Sequence, residues 1–510
     1  MPSPFISSEI THVDPANDTI DSLLSISRWA STTISYSFPV SNNPLFWSSL
    51  SGGYGFQFGD GEPWSSAFVP LTTADQTNFV RALQQWANVA NLNFVQVAET
   101  ASEVGDIRAA YTEDPDESTL AWTYLPSPST LAGDIWINTK GLLRFQDWNP
   151  GSISFETILH ELGHALGLEH PFADPNDPSK VALPRDLDNT RHTIMSYTYS
   201  NLEGDEGTEF SFHPTTPMVL DISAIQFLYG PNNFYHAVND IYVYDDASTY
   251  HETIWDTGGS DTIRYAGAIP SWIDLNPASA SRIGQSVYVQ SNGVNIGSPI
   301  HNIWIANNVM IENAIGGQGN DLFIGNNVSN SLDGGGGIDT VVIGFPRHQF
   351  TFGKSSDSYF ITADTNPANQ DILLNIERVE FDDTGLALDL DGHAGEVAKL
   401  LGAVFGASSV ANQEYAGIGL TKADEGLSYG QLGEFAINTR NLTQHDEIVT
   451  LLWQNIFGTT PTQSDKSPYI NMLDNDEISI GSLAILAADS EVNAQNIHLT
   501  ELVQTGLAYI

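Results

Sequence analysis

The chain has 510 residues, with 62 Asp+Glu against 17 Lys+Arg, a formal net charge of −45 and no cysteine. Hydrophobic content of 41% with 10% aromatics excludes wholesale disorder, and the missing cysteine excludes disulfides, thiolate metal sites and thiol nucleophiles. A field this negative argues against nucleic acid or anionic membranes as partners, and no apolar run reaches the ~18 residues that a membrane span needs.

Residues 1–31 are polar and weakly periodic and read as a leader or pro-segment, without the basic and apolar regions of a secretory signal. In TTISYSF, Ile34, Tyr36 and Phe38 alternate, which predicts a half-buried strand. Residues 74–90 carry Phe79, Leu83, Trp86, Ala87 and Ala90 at helical spacing, with Thr72 or Thr73 as N-cap. The runs LNFVQVA, GDIRAAY, LAWTYL and GDIWIN read as strands. A helix at about 155–167, an Asp- and Pro-rich loop to about 192 and the helical DISAIQFLYG complete a domain over 32–235.

From 236 to 392, Gly, Asn and Asp punctuate short Val/Ile/Phe runs, an all-β signature. Starting at Gly316, the nonapeptides GGQGNDLFI, GNNVSNSLD and GGGGIDTVV run in phase. The first and third fit G-G-x-G-x-D-x-U-x, with Phe323 and Val341 as the large apolar residue U. Two nonapeptides make one coil of a parallel β-roll, so residues 18 apart stack, and Asp321 and Asp339 have that spacing. Their carboxylates, with carbonyls at Gly317, Gly319, Gly335 and Gly337, offer the hard oxygens that calcium takes.

Beyond 393 the chain turns helical. Val397, Leu400, Leu401, Val404 and Phe405 recur 52 residues later as Val449, Leu452, Trp453, Ile456 and Phe457, and SYGQLGEFA matches SIGSLAILA. Residues 393–510 therefore read as a small all-α duplicated module. The fold class is multidomain α+β, with a catalytic domain, a β-roll/β-sandwich domain and this module.

The decisive run is HELGHALGLEH, 160–170. On a helix, His160 and His164 project from one face and reach one metal. Glu161 sits beside them, and Gly167 allows a left-handed exit that returns His170 as third ligand. Three neutral imidazoles with an open fourth position are a catalytic zinc pattern. Zinc lowers the pKa of bound water towards ~7, and Glu161 is placed to act as general base. The other ten histidines, His192 near IMSY included, lack ligand spacing.

The residues HELGHALGLEHP followed by IMSY resemble the metzincin zinc endopeptidases, and Pro171 with Met-Ser-Tyr resembles the serralysin family in particular, over roughly residues 32–390. The resemblance implies that Met195 forms a floor beneath the zinc ligands and that Tyr197 is a switchable further ligand. It implies an edge strand in LAWTYLP, with Ala121, Trp122, Thr123 and Tyr124 against the substrate main chain. It also implies calcium ligands in WDTGGSDT and MIENAIGG, namely Asp256, Gly258, Gly259, Asp261 and Glu312. Two departures are the small number of repeats and Met310, where related chains often have Thr.

The segment NIERVEFDDTGLALDLDGHAGEVAKLL resembles a junction in proteins exported by type I secretion, although the ending LVQTGLAYI departs from the family's acidic-then-aliphatic terminus. The function this implies is a secreted, monomeric, calcium-stabilised zinc endopeptidase with one zinc and several calcium ions. Its partners would be protein substrates and the type I secretion apparatus, with no nucleic acid and no membrane span. The alternatives are a non-enzymatic calcium-dependent surface or adhesion protein on a metzincin scaffold, and a processing protease of narrow specificity.

Overall fold

The computed structural model describes residues 8–9, 18–40, 68–100, 104–113, 119–127, 131–140, 147–173, 180–199, 207–356 and 358–510. The expected leader and the loop before residue 192 lie partly outside the described residues. The chain divides into two compact units. The first holds residues 1–241, 245–261 and 277–311, and the second holds 242–244, 262–276 and 312–510.

In the first unit a five-stranded sheet runs in the order Asn93–Gln96, Thr33–Ser37, Ile107–Thr112, Asp134–Asn138, Ala121–Thr123. All neighbours are parallel except the last pair, so Ala121–Thr123 is an antiparallel edge strand. In TTISYSF, Ile34, Tyr36 and Phe38 are all buried, but Ser37 between them is buried too, so the strand is more enclosed than its alternation predicts. Ile107–Thr112 and Asp134–Asn138 are buried at every position, as parallel strands covered on both faces must be.

Helix Thr73–Val89 starts at a capping box in which Thr72 accepts from Asp75 N and Asp75 returns the bond, and it buries Phe79, Ala82, Leu83, Trp86 and Val89. Helix Ile153–Ala165 begins at Ser152, whose side chain caps Phe155 N. Trp86 Nε1 donates to the carbonyl of Leu159, fixing one helix against the other. The stretch expected as a leader contributes to this core: Leu23 and Trp29 are buried, and Trp29 Nε1 donates to the carbonyl of Ala165. Strands at 252–254, 280–281, 287–291, 294–300 and 303–305 also belong to the first unit.

The second unit is built on short parallel strands in two ladders. Asn313–Ile315 pairs with Ser331–Asp333, and Leu322–Ile324 with Thr340–Ile343. The registers Asn313↔Ser331 and Leu322↔Thr340 are both the 18-residue offset expected of stacked nonapeptides. Phe323, Leu332 and Val341 fill the interior.

The helices after His393 pack around Val397, Leu400, Leu401 and Val404 and their counterparts Val449, Leu452 and Ile456. The matched helices Tyr429–Asn438 and Ile480–Ala488 meet at glycines, where a Cβ on Gly481 would lie 2.2 Å from the carbonyl oxygen of Gly430. One expectation needs correcting: the region 393–510 is not wholly helical. Leu507–Tyr509 forms a strand antiparallel to Gly385–Ala387 and extends a six-stranded sheet, with Leu507 fully buried and Tyr509 Oη donating to Glu380 Oε1 at 2.6 Å.

Candidate metal centre and cleft

His160 and His164 stand one turn apart on helix Ile153–Ala165, among residues that are otherwise almost entirely buried. The helix ends at Ala165 with Leu166 as its C-cap, and Gly167 adopts φ +104°, which an L side chain resists. A Cβ there would also lie 2.7 Å from the carbonyl oxygen of Ser27, so glycine is required twice over. The exit is pinned by Ser25 N donating to Gly167 O and Glu169 N donating to Leu23 O, and it returns His170 to the first two imidazoles.

His160 Nδ1 donates to Ile194 O at 2.7 Å and His164 Nδ1 to Leu168 O at 2.8 Å. Those carbonyls can only accept, so both rings carry their proton on Nδ1 and turn the Nε2 lone pair inward. The Nε2 atoms of His160 and His164 lie 3.2 and 3.1 Å from His170 Nε2. Tyr197 Oη lies 2.7 Å from the same atom. Burial, then the neighbouring imidazoles, pushes all three histidines down to about 3, so they are neutral donors at working pH. Converging lone pairs repel unless a cation lies among them, and three imidazoles with a phenol oxygen make a donor set that suits zinc.

Glu161, 5% exposed, accepts a hydrogen bond from Thr123 Oγ1 at 2.6 Å. Burial pushes its carboxyl up to about 7, against the lowering pull of Thr123. Thr123, expected only as a substrate contact, therefore also orients Glu161, while Ala121 and Trp122 lie on the same edge strand and Tyr124 N donates to Asp134 O.

Met195 is fully buried and packs against the helix that carries His160 and His164: a Cβ on Gly163 would lie 2.6 Å from its sulfur. Asp221, fully buried, was not legible as a site residue. Its Oδ1 accepts from Thr193 Oγ1 at 2.6 Å, and its Oδ2 accepts from Ile194 N and Met218 N, both at 2.9 Å. It thereby holds the segment whose Ile194 carbonyl fixes His160. The one signal in the sequence is an acid in the first turn of DISAIQF, which looks like any helix cap. His192 packs against Trp304 with ring centroids 5.1 Å apart and does not join the three histidines.

Two further groups of possible metal donors are formed by other residues. In the first unit, ligand atoms of His236, Asp240 and Asp256 lie within 4.8 Å of one another, and of these only Asp256 is among the ligands expected above. Asp256 Oδ1 accepts from Gly258 N and Asp261 Oδ1 from Asp240 N, while a Cβ on Gly259 would lie 2.5 Å from Val238 O. Glu312 belongs to the second unit, where its carbonyl accepts from Ser331 N.

Also in the second unit, Asp321 accepts from Ser271 N and Gly317 N, and Asp339 Oδ1 accepts from Asp321 N at 2.7 Å, linking residues 18 apart. Asp339 Oδ2 is buried without a hydrogen-bond partner among the described residues, and burial with nearby carboxylates pushes Asp339 up to about 7. Cβ atoms on Gly335 and Gly337 would lie 2.4 Å from the carbonyl oxygens of Gly317 and Gly319. A buried carboxylate oxygen without a partner among the described residues, with glycine carbonyls in the same stacked turns, is a donor set that suits calcium.

Residues 68–177 match the Matrixin family model and residues 224–379 the model for the serralysin C terminal of peptidase M10. The chain is 34% identical over 295 residues to a serralysin of Photorhabdus laumondii subsp. laumondii, covering 54% of this chain and 58% of that protein. It is 30% identical over 304 residues to a serralysin of Proteus mirabilis, covering 54% and 58%. It is 30% identical over 274 residues to the metalloprotease AprA of Pseudomonas entomophila, covering 49% and 53%. The chain thus spans a little over half the length of these relatives.

Proposed function

Starting from a chain that is a serralysin-family metzincin, we propose that it is a secreted, calcium-stabilised zinc endopeptidase that cleaves proteins with broad tolerance. The observation that carries this reading is the convergence of His160, His164 and His170 through their Nε2 atoms, with Glu161 buried alongside.

His160, His164 and His170 would hold the zinc, with Tyr197 as a further oxygen donor. When bound, zinc supplies a Lewis acid and a nucleophile from water at neutral pH. Glu161, raised by burial to about 7, takes a proton from the attacking water and delivers it to the departing amine. Thr123 holds Glu161 in line, and the carbonyls of Ile194 and Leu168 hold two imidazoles in the required tautomer. The edge strand Ala121–Thr123, with Trp122 on it and Tyr124 following, receives the extended substrate by main-chain pairing, which reads backbone more than side chains.

The ladders with an 18-residue offset support a calcium-binding β-roll with Gly317, Gly319, Asp321, Gly335, Gly337 and Asp339 as ligands. Asp256, Gly258, Gly259, Asp261 and Glu312 are proposed for calcium near the start of that region. The four-part organisation 1–31, 32–235, 236–392 and 393–510, export through a type I apparatus and a monomeric state complete the proposal.

Caseinolysis by the purified full chain tests it. Activity lost on chelation and restored by zinc, and absent in Glu161→Ala, is the expected result; undiminished proteolysis in Glu161→Ala would refute the mechanism.

A further inference from the structure

The cavity beside Glu161 has a volume of about 550 Å³, within the range of small-ligand pockets. Three carboxylates line it, Glu156, Glu161 and Glu209, together with hydroxyl and amide groups such as those of Thr157, Ser196 and Asn292, and neither Lys nor Arg lines it among the described residues. A cleft lined by one sign of charge concentrates cations.

Two of the carboxylates are committed elsewhere. Glu156 Oε2 accepts from His213 Nδ1 at 2.5 Å and from Tyr199 Oη at 3.2 Å, and Glu161 holds Thr123 and serves the reaction. Glu209 differs. It sits mid-strand in Thr208–Phe210, whose backbone is held by the register Gln290↔Glu209, and it is half-buried. Among the described residues its carboxylate makes no hydrogen bond or ion pair. An ordered, partly desolvated acid facing a cavity gains most from a cation that brings N–H donors.

We propose that this cavity receives the cationic side chain, lysine or arginine, of the substrate residue next to the scissile bond, and that Glu209 is the carboxylate that pairs with it. The proposal rests on the protease reading above and adds one side-chain preference to an otherwise backbone-reading cleft.

The test profiles the full chain, loaded with zinc and calcium, on a peptide library randomised at the two positions flanking the scissile bond. Expected is a preference for Arg and Lys over Leu at one flanking position of about ten- to a hundredfold in kcat/KM, the worth of one hydrogen-bonded charge. In Glu209→Gln the Arg/Leu ratio should collapse towards one, and Glu209→Arg should turn the preference towards acidic side chains. A wild-type profile that is flat or favours apolar residues overturns the proposal whatever the variants do, as does an unchanged Arg/Leu ratio in Glu209→Gln. Failure of the wild type to cleave any peptide with zinc present instead refutes the protease reading itself, so the two failures are distinguishable.

Discussion

Replacing Asp221 by asparagine tests whether the segment carrying Met195 is held from behind. The carboxylate accepts two backbone N–H groups on Oδ2 and the Thr193 hydroxyl on Oδ1, all in the buried interior. An amide can keep its oxygen on Ile194 N and Met218 N, but it then turns an N–H2 towards Thr193 Oγ1. The bond to Thr193 then reverses, with the amide donating to Thr193 Oγ1 and the hydroxyl proton left without its acceptor, a loss of about 0.5–1.5 kcal/mol. Alanine would orphan all three donors, roughly 3–6 kcal/mol, a large share of the ~5–15 kcal/mol that holds a domain, so asparagine is the informative variant.

The sign of the pH dependence is fixed by Asp221 itself. Burial raises its carboxyl to about 7, above its ordinary value near 4, so its titration stabilises the fold fully below that ordinary value. That contribution is lost as pH rises through about 7. The Asn variant, which does not titrate, should therefore fall short of wild type more at pH 5 than at pH 8. Because Ile194 both bonds Asp221 and fixes His160, zinc affinity should fall about ten- to a hundredfold. Thermal denaturation at the two pH values and competition with a chromophoric chelator measure both effects. Unchanged zinc affinity in a variant whose Tm has fallen would refute the coupling of Asp221 to His160.

Three more outcomes are expected. Gly337→Ala places a Cβ 2.4 Å from a backbone carbonyl at φ +126° and should destabilise the second unit by about 2 kcal/mol or more, whereas Gly344→Ala, with nothing within 4 Å, should stay within about 0.5 kcal/mol; equal melting curves would contradict this. In chelator, the second unit should melt higher at pH 5 than at pH 8, because burial holds Asp339 at about 7 and Asp371 at about 6, and raised carboxyls lose their stabilisation as pH rises through those values. Calcium should reverse that order, and a pH-independent Tm in chelator would count against it. Tyr509→Phe removes the hydrogen bond to Glu380 and should cost about 1–2 kcal/mol in denaturant titration, with no change expected if the last strand frays in solution.

Much of this architecture could be read ahead because it is local. The four-residue spacing of His160 and His164 needs only a helix, and the positive φ of Gly167 is what a turn back to His170 demands. The 18-residue offset of the nonapeptides reappears as Leu322↔Thr340 because a repeat carries its register in its own period. What escaped depends on distant partners. Leu507–Tyr509 is a strand only because Gly385–Ala387 lies beside it, and three residues carry too little periodicity to announce themselves. Asp221 and Glu209 are single acids in an acidic chain, and nothing local separates a carboxylate that organises a turn or faces a cavity from one that meets water.

The packing of Gly163 against Met195 also bears on oxidative durability. Thioethers exposed to peroxide become sulfoxides, polar and larger by one oxygen. Here the sulfur is fully buried and lies so close to Gly163 that a methyl group there would force the thioether to shift. The added oxygen has nowhere to go while the helix keeps its place, so damage at Met195 must wait for local opening. The same close fit makes that damage lasting, because an oxidised Met195 could not settle back against Gly163 until a reductase had restored it.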